Sequence, residues 1–172
     1  GARVARRLRG WECEIIYADV VSISEDVEKE TRARRVELDE LLSTSDLITL
    51  HVPLDRSTHH MISTRELAMM KSTAILINAC RGPVVDEAAL TTALQSGQIF
   101  GAGLDVLEQE PPGEDSPVLR AWRDPAHPAH DRLFLNPHAA FYCEEGGEEF
   151  RSKAARECLR AIRGESLRNV VN

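Results

Sequence analysis

The run Thr73-Ala-Ile-Leu-Ile-Asn-Ala-Cys-Arg-Gly82 decides the fold. Its first seven residues are almost continuously apolar and β-rich, too short for a buried helix. Such a run suits a strand covered on both faces, as in a parallel sheet. It stops at a polar turn, Asn78 to Arg81, followed by Gly82 and Pro83. Working outward, similar strands are expected at 13–18, 46–51, 99–105 and 133–136. Helices are expected between them. One covers residues 2–10, a short one lies near 25–33, and one or two turns cover 39–43. Ser63 and Glu66 have capping-box spacing for a helix to about Lys71. Asp86 caps a helix ending near Gly97. A last helix covers 145–163, with Phe150, Ala154, Cys158 and Ile162 on one apolar face and Gly164 as its stop. Residues 106–131 hold five prolines and read as a long loop. There is no internal repeat.

Strands alternating with helices define an α/β fold, a Rossmann-like doubly wound parallel sheet. Ligands bind such sheets at the carboxyl ends of the strands. Asp19, His51, Asn78 to Arg81, Asp105 and His138 all fall at those ends. Arg81 offers a planar fork of donors suited to a carboxylate. Glu110 and His138 are each loop residues taken alone, but an acid paired with an imidazole can hold one tautomer and raise the imidazole pKa, and Arg, Glu and His at successive strand ends are more specific than any one of them. Asp19, at the end of an early strand, suits the hydroxyls of an adenine ribose. It disfavours a 2′-phosphate, so NAD is expected over NADP.

Composition narrows the classes. The 172 residues are 42% apolar and 28% charged, which is ordinary for a folded domain. The net charge of −7 opposes binding to a phosphate backbone, so no nucleic-acid partner is expected. No apolar run approaches the roughly 18 residues of a membrane span, and no signal segment opens the chain. Cys13, Cys80, Cys143 and Cys158 form no C-x-x-C pair and read as reduced intracellular thiols, so a cytoplasmic location is expected. His127 and His130 form H-x-x-H in a proline-rich stretch without partner thiols, and no metal site is expected.

The motifs resemble those of the D-isomer-specific 2-hydroxyacid dehydrogenases, and among them the C-terminal-binding-protein branch. They are His51-Val-Pro-Leu54 with His59-His-Met-Ile62, Ile77-Asn-Ala-Cys-Arg-Gly-Pro-Val-Val-Asp86, Gly103-Leu-Asp-Val106 through Glu110-Pro111, and Pro137-His-Ala-Ala-Phe-Tyr142. Ala154-Ala-Arg156 and Leu167-Arg-Asn-Val-Val171 complete the set. The resemblance implies that Arg81 binds the substrate carboxylate and carbonyl oxygen. It implies that His138 is the acid–base on the 2-oxo oxygen and that Glu110 orients His138. It places Gly1, Asp19, Val52, Pro53, Thr58, Ala79, Cys80, Arg81, Asp105 and His138 along NAD, and Phe141 on the substrate wall where that branch carries Trp. The implied substrate is a small 2-oxo or 2-hydroxy acid, and the implied assembly is a homodimer. The other reading is an NAD(H)-sensing, co-repressor-like interaction protein, which would be nuclear as well.

Gly1-Ala-Arg-Val-Ala5 matches only the third glycine of the family's G-x-G-x-x-G loop and the four positions after it. The chain is therefore expected to begin inside a longer product, without the first strand and most of the glycine-rich loop. Residues 1–143 are expected to form the NAD-binding domain. Residues 144–172 are expected to be a helix and tail that pack on a substrate domain. Alone, the chain is expected to bind NAD weakly, to be inactive, and to be marginally stable or self-associating. The stretch 117–132 reads as a surface excursion.

Overall fold

The computed structural model describes residues 1–168. The chain forms two compact units that divide between Pro137 and His138.

In the first unit, helices and strands alternate. Helix α1 covers Ala2–Leu8, β1 Ile15–Tyr17, α2 Glu25–Thr31, β2 Ala33–Arg35, α3 Leu38–Thr44, β3 Leu47–Leu50, α4 Thr64–Met69, β4 Ile75–Asn78, α5 Glu87–Ser96, β5 Gly101–Leu104, α6 Pro117–Arg123 and β6 Leu133–Leu135. Every ladder is parallel. Strands β3, β4, β5 and β6 pair in chain order, with Leu50 opposite Asn78 and Asn78 opposite Leu104. Strands β1 and β2 form a separate pair, with Tyr17 opposite Arg35. Among the described residues no ladder joins the two sheets.

The core explains the apolar runs. Ile48, Leu50, Leu76, Leu104 and Leu133 are buried along the four-stranded sheet. Leu42, Leu67, Leu90, Leu94 and Val118, from four successive helices, are buried with them. Those helices pack in series, α3 on α4, α4 on α5 and α5 on α6. Parallel neighbours need crossover connections, and here the helices between the strands supply them and cover the sheet.

Local chemistry sets the helix ends. The Ser63–Glu66 capping box forms, with the Ser63 N–H donating to Glu66 at 3.2 Å. The Asp86 carboxylate caps α5, accepting the Ala89 N–H at 2.9 Å and the Ser63 hydroxyl at 2.9 Å. Gly97 ends α5 at φ 74°, a left-handed conformation that suits glycine.

Two elements differ from the sequence expectation. The segment Ala33–Arg35 is a strand, although Ala-Arg-Arg has no apolar run. It pairs with β1 in a two-stranded sheet with its arginines exposed, held by backbone pairing and by Arg34 and Arg35 side-chain contacts to Glu14, Glu40, Ser22 and Asp19, so it needs no apolar run. The expected long loop contains α6, which Ser116 caps by accepting the Leu119 N–H at 3.2 Å, with Pro117 in the first turn. Proline there removes no helical hydrogen bond. Val118, Leu119 and Ala121 are buried, so part of 117–132 belongs to the core and is not a surface excursion.

The second unit carries α7, Glu144–Ile162, with no buried residue. Gly164, at φ 68°, follows its end as expected. Phe150 and Ile162, on the expected apolar face, are exposed. The Leu167–Val171 motif lies outside the described residues from position 169 onward.

Asp86 yields a pH-dependent prediction. The Ala89 N–H, followed by the Ser63 hydroxyl and the nearby His60, holds its carboxyl below the usual aspartate range against the opposing effect of partial burial. A depressed folded pKa contributes stability that is complete above the unfolded pKa. That stability is lost as pH falls through the folded pKa. Asp86→Ala is therefore expected to cost about 0.5–2 kcal/mol at neutral pH. Urea unfolding of both proteins from neutral to acid pH should show the difference shrinking as the solution becomes acidic.

Candidate active site

Within the first unit, the polar groups singled out in the sequence lie at the carboxyl ends of the strands. Asn78, the last residue of β4, organises the first group. Its side chain is buried. Its amide donates to the Arg81 carbonyl at 3.0 Å, and its carbonyl oxygen accepts the Cys80 N–H at 3.1 Å and the Cys80 thiol at 3.1 Å. One side chain thus closes the turn that presents Ala79, Cys80 and Arg81. The exposed Arg81 guanidinium donates to the Cys80 carbonyl at 2.6 Å.

Asp105, just after β5, sits beside this turn. Its N–H donates to the Asn78 carbonyl at 2.9 Å, and its buried carboxylate accepts from the Asn136 amide. The chain then passes over Gly82. A Cβ at position 82 would lie 1.8 Å from the Leu107 carbonyl oxygen, so only glycine allows this approach. Past that crossing, the Glu110 carboxylate turns back and accepts the Leu107 N–H at 2.9 Å. Arg81 and Glu110 are thus carried by two turns in direct backbone contact.

A second group lies at the ends of β1 and β3. A cavity of about 270 Å³ separates these strands. Ala5 and Leu8 of α1, Ile15 and Tyr17 of β1, and Ile48 and Leu50 of β3 line it with apolar surface. Gly1, Asp19, His51 and Val52 line it as well. Asp19 and His51 follow β1 and β3, so they mark its carboxyl end. The Asp19 carboxylate accepts the Val21 N–H at 3.0 Å and retains further acceptor capacity. In the loop after β3, the Thr58 hydroxyl donates to the Pro53 carbonyl at 2.7 Å and accepts the Asp55 N–H at 2.8 Å. Pro53 and Thr58 therefore act as one unit.

His138 and Phe141 belong to the second unit. His138 has a left-handed backbone, φ 51°. Its ring meets Phe141 edge to face at 5.9 Å, and Phe141 meets Tyr142 at 5.7 Å. Both aromatic residues are exposed.

Sequence reasoning missed two residues. Glu87, in the first turn of α5, is buried. Burial pushes its carboxyl pKa up, against the pull of hydrogen bonds from the Glu108 N–H at 2.6 Å and the Ser116 hydroxyl at 3.1 Å. His60 stacks on His59 at 4.1 Å and donates through Nε2 to Glu108 at 2.5 Å. An acid in a first helical turn and one of two adjacent histidines give no sequence signal for these roles.

Among the described residues no group of three or more His, Cys, Asp or Glu could hold a metal ion. The His127 ring accepts the Ala129 N–H at 3.1 Å, and His130 Nδ1 lies 2.7 Å from the Trp122 carbonyl. Both rings thus serve the local backbone. No described helix is long and apolar enough to cross a membrane.

Parallel sheets with an apolar cleft, an acid after an early strand, and an Arg and an Asp after two later strands define a dinucleotide-binding α/β domain. Residues 1–140 match the family model for the D-isomer specific 2-hydroxyacid dehydrogenase NAD binding domain, and the chain belongs to that family. It is 44% identical over 172 residues to a glyoxylate reductase of Korarchaeum cryptofilum, covering all of this chain and 49% of that protein. Among solved structures, a glyoxylate reductase from Paecilomyes thermophila superposes with TM-score 0.84 at 36% identity, over 99% of this chain and 48% of the other. A D-lactate dehydrogenase from Aquifex aeolicus, complexed with NAD and lactic acid, superposes with TM-score 0.81 at 34% identity, over 96% and 51%. The chain spans about half the length of the relatives it matches.

The donor set fits NAD. Apolar walls and the Asp19 carboxylate suit the adenosine half. The Asp105–Asn136 pair and the turn at 79–81 suit the polar nicotinamide end.

Asn78 generates a prediction. Asn78→Ala leaves the Cys80 N–H and the Arg81 carbonyl without their partner. A lost buried hydrogen-bond partner costs about 1–3 kcal/mol. Thermal unfolding should show a lower midpoint, and NADH fluorescence titration should show weaker binding. An unchanged titration would mean that the turn is held by other contacts.

Proposed function

We propose that this chain is the cofactor-binding part of an enzyme that reduces a small 2-oxo acid of the glyoxylate type to the 2-hydroxy acid. The observation that carries this reading is the placement of Arg81 and Glu110 on contacting turns at the carboxyl edge of an NAD-binding domain. The glyoxylate reductases among its relatives support the substrate class.

Bound NADH supplies a hydride to the 2-carbon. Arg81 holds the substrate carboxylate and 2-oxo oxygen through its donor fork. His138 donates a proton to that oxygen as negative charge develops there. Glu110 holds the imidazole tautomer. Asp105 and the backbone from Ala79 to Arg81 orient the nicotinamide end. Gly1, Val52, Pro53 and Thr58 line the rest of the cofactor, and Asp19 engages the adenine ribose. Phe141 forms an apolar wall beside the substrate. The sum is 2-oxo acid, NADH and a proton giving 2-hydroxy acid and NAD⁺.

In the whole protein, residues 1–143 form the cofactor domain, and 144–172 pack on a substrate domain of roughly 100 residues. The exposed apolar residues of α7, Phe150 and Ile162, support that packing. The enzyme is a cytoplasmic homodimer. A C-terminal-binding-protein-like co-repressor role is the finer alternative and draws support from the sequence motifs alone. The reductases among the relatives favour the enzyme.

The test is glyoxylate-dependent NADH oxidation by the full-length protein. Arg81→Gln is expected to lower kcat/KM at least about a hundredfold, a loss of about 2.7 kcal/mol of transition-state stabilisation. NADH affinity should remain within a fewfold. A full-length protein that binds NADH but reduces no 2-oxo acid would overturn the proposal and favour the interaction role.

A further inference from the structure

Glu110 is exposed and lies in a loop, yet its proposed task demands a fixed direction. Its carboxylate accepts the Leu107 N–H, three residues back, at 2.9 Å. Two residues without a sequence signal hold the loop around it. From below, the buried Glu87 carboxylate accepts the Glu108 N–H at 2.6 Å with one oxygen and the Ser116 hydroxyl at 3.1 Å with the other. It thereby ties both ends of the loop to the first turn of α5. From the side, His60 Nε2 donates to the Glu108 carboxylate at 2.5 Å. His60 Nδ1 lies 4.0 Å from Asp86, the cap of the same helix. The His60 N–H donates to the Pro83 carbonyl at 2.8 Å, two residues beyond Arg81.

We propose that Glu87 and His60 are positioning residues that grip Glu108 from two directions and so fix Glu110 against the Arg81–Gly82 turn. Three segments meet at Glu108: the loop after β3, the first turn of α5 and the loop after β5. The first of these also carries Pro53 and Thr58, placed along the cofactor above. His60 therefore connects the cofactor-lining loop to the loop that carries Glu110. Buried carboxylates are costly unless satisfied. Glu87 spends both of its oxygens on this one loop, which a purely structural helix-start residue has no reason to do.

The proposal rests on the reading of Glu110 given above, and the test separates the two. In the full chain, amide exchange at Leu107 and Glu108 should accelerate at least tenfold in Glu87→Ala, His60→Ala and Glu108→Ala. Amides of β4 should keep their wild-type rates. Glu108→Gln, which retains an acceptor for His60, should restore near-wild-type exchange. Glu108→Ala touches only partly exposed side chains, so it keeps the test valid if Glu87→Ala fails to fold. In the full-length enzyme, His60→Ala and Glu108→Ala should lower kcat tenfold or more with KM for NADH within twofold, and Glu108→Gln should recover most of the loss. Exchange that is unchanged at 107–108, or that rises equally in β4, overturns the positioning role. So does a loss confined to KM. A wild-type enzyme with no reductase activity refutes the proposed function, while the exchange experiment still decides whether the grip exists.

Discussion

Strand β4 is paired on both edges and covered by apolar side chains, and this burial leaves its polar groups one exit. Asn78 stands at that exit. Its three hydrogen bonds convert the end of a buried strand into a turn of defined shape. The neighbouring features are all fixed relative to that turn: Arg81 on it, Gly82 beneath the crossing loop, and Asp105 bonded to its backbone. A chain that buries Leu76 and satisfies Asn78 has little freedom left in where it presents Arg81.

The cavity between β1 and β3 is the second organising feature of the first unit. The two strands face it with isoleucine, leucine and tyrosine, while Asp19 and His51 follow them at one end. The adenosine side of the proposed cofactor site is therefore apolar with a single acid. The nicotinamide side is a network of paired polar groups. Such asymmetry suits a molecule with an aromatic base at one end and a polar carboxamide at the other.

Much of this was legible in the residues. A continuous apolar run marked β4, as a strand covered on both faces needs, and β-branched and aliphatic residues marked β3. Ser63, Asp86, Gly97 and Gly164 marked helix ends through their own capping chemistry. The placement of Asp19, Arg81 and Asp105 after the carboxyl ends of strands was legible from the alternation of strands and polar turns. Strand β2 was not, since Ala33 to Arg35 has no apolar run and is held by backbone pairing and polar arginine contacts. Helix α6 was obscured by neighbouring prolines, although Ser116 followed by Pro117 is itself a helix-start signal. Glu87 and His60 were illegible for a different reason. Their partners lie 21 and 48 residues away, and only folding brings them to Glu108.

The most direct test of the central claim, that the carboxyl edge of these strands holds NAD, is an NADH titration of the isotopically labelled chain tracked through backbone amide resonances. Saturable shifts are expected at Asp19, His51, Val52, Leu54 to Thr58, Ala79 to Arg81, Asp105 and His138. The amino-terminal strand residues Leu47, Ile75 and Gly101 should stay fixed. Shifts centred on those three residues, or no shifts at millimolar NADH, would contradict it.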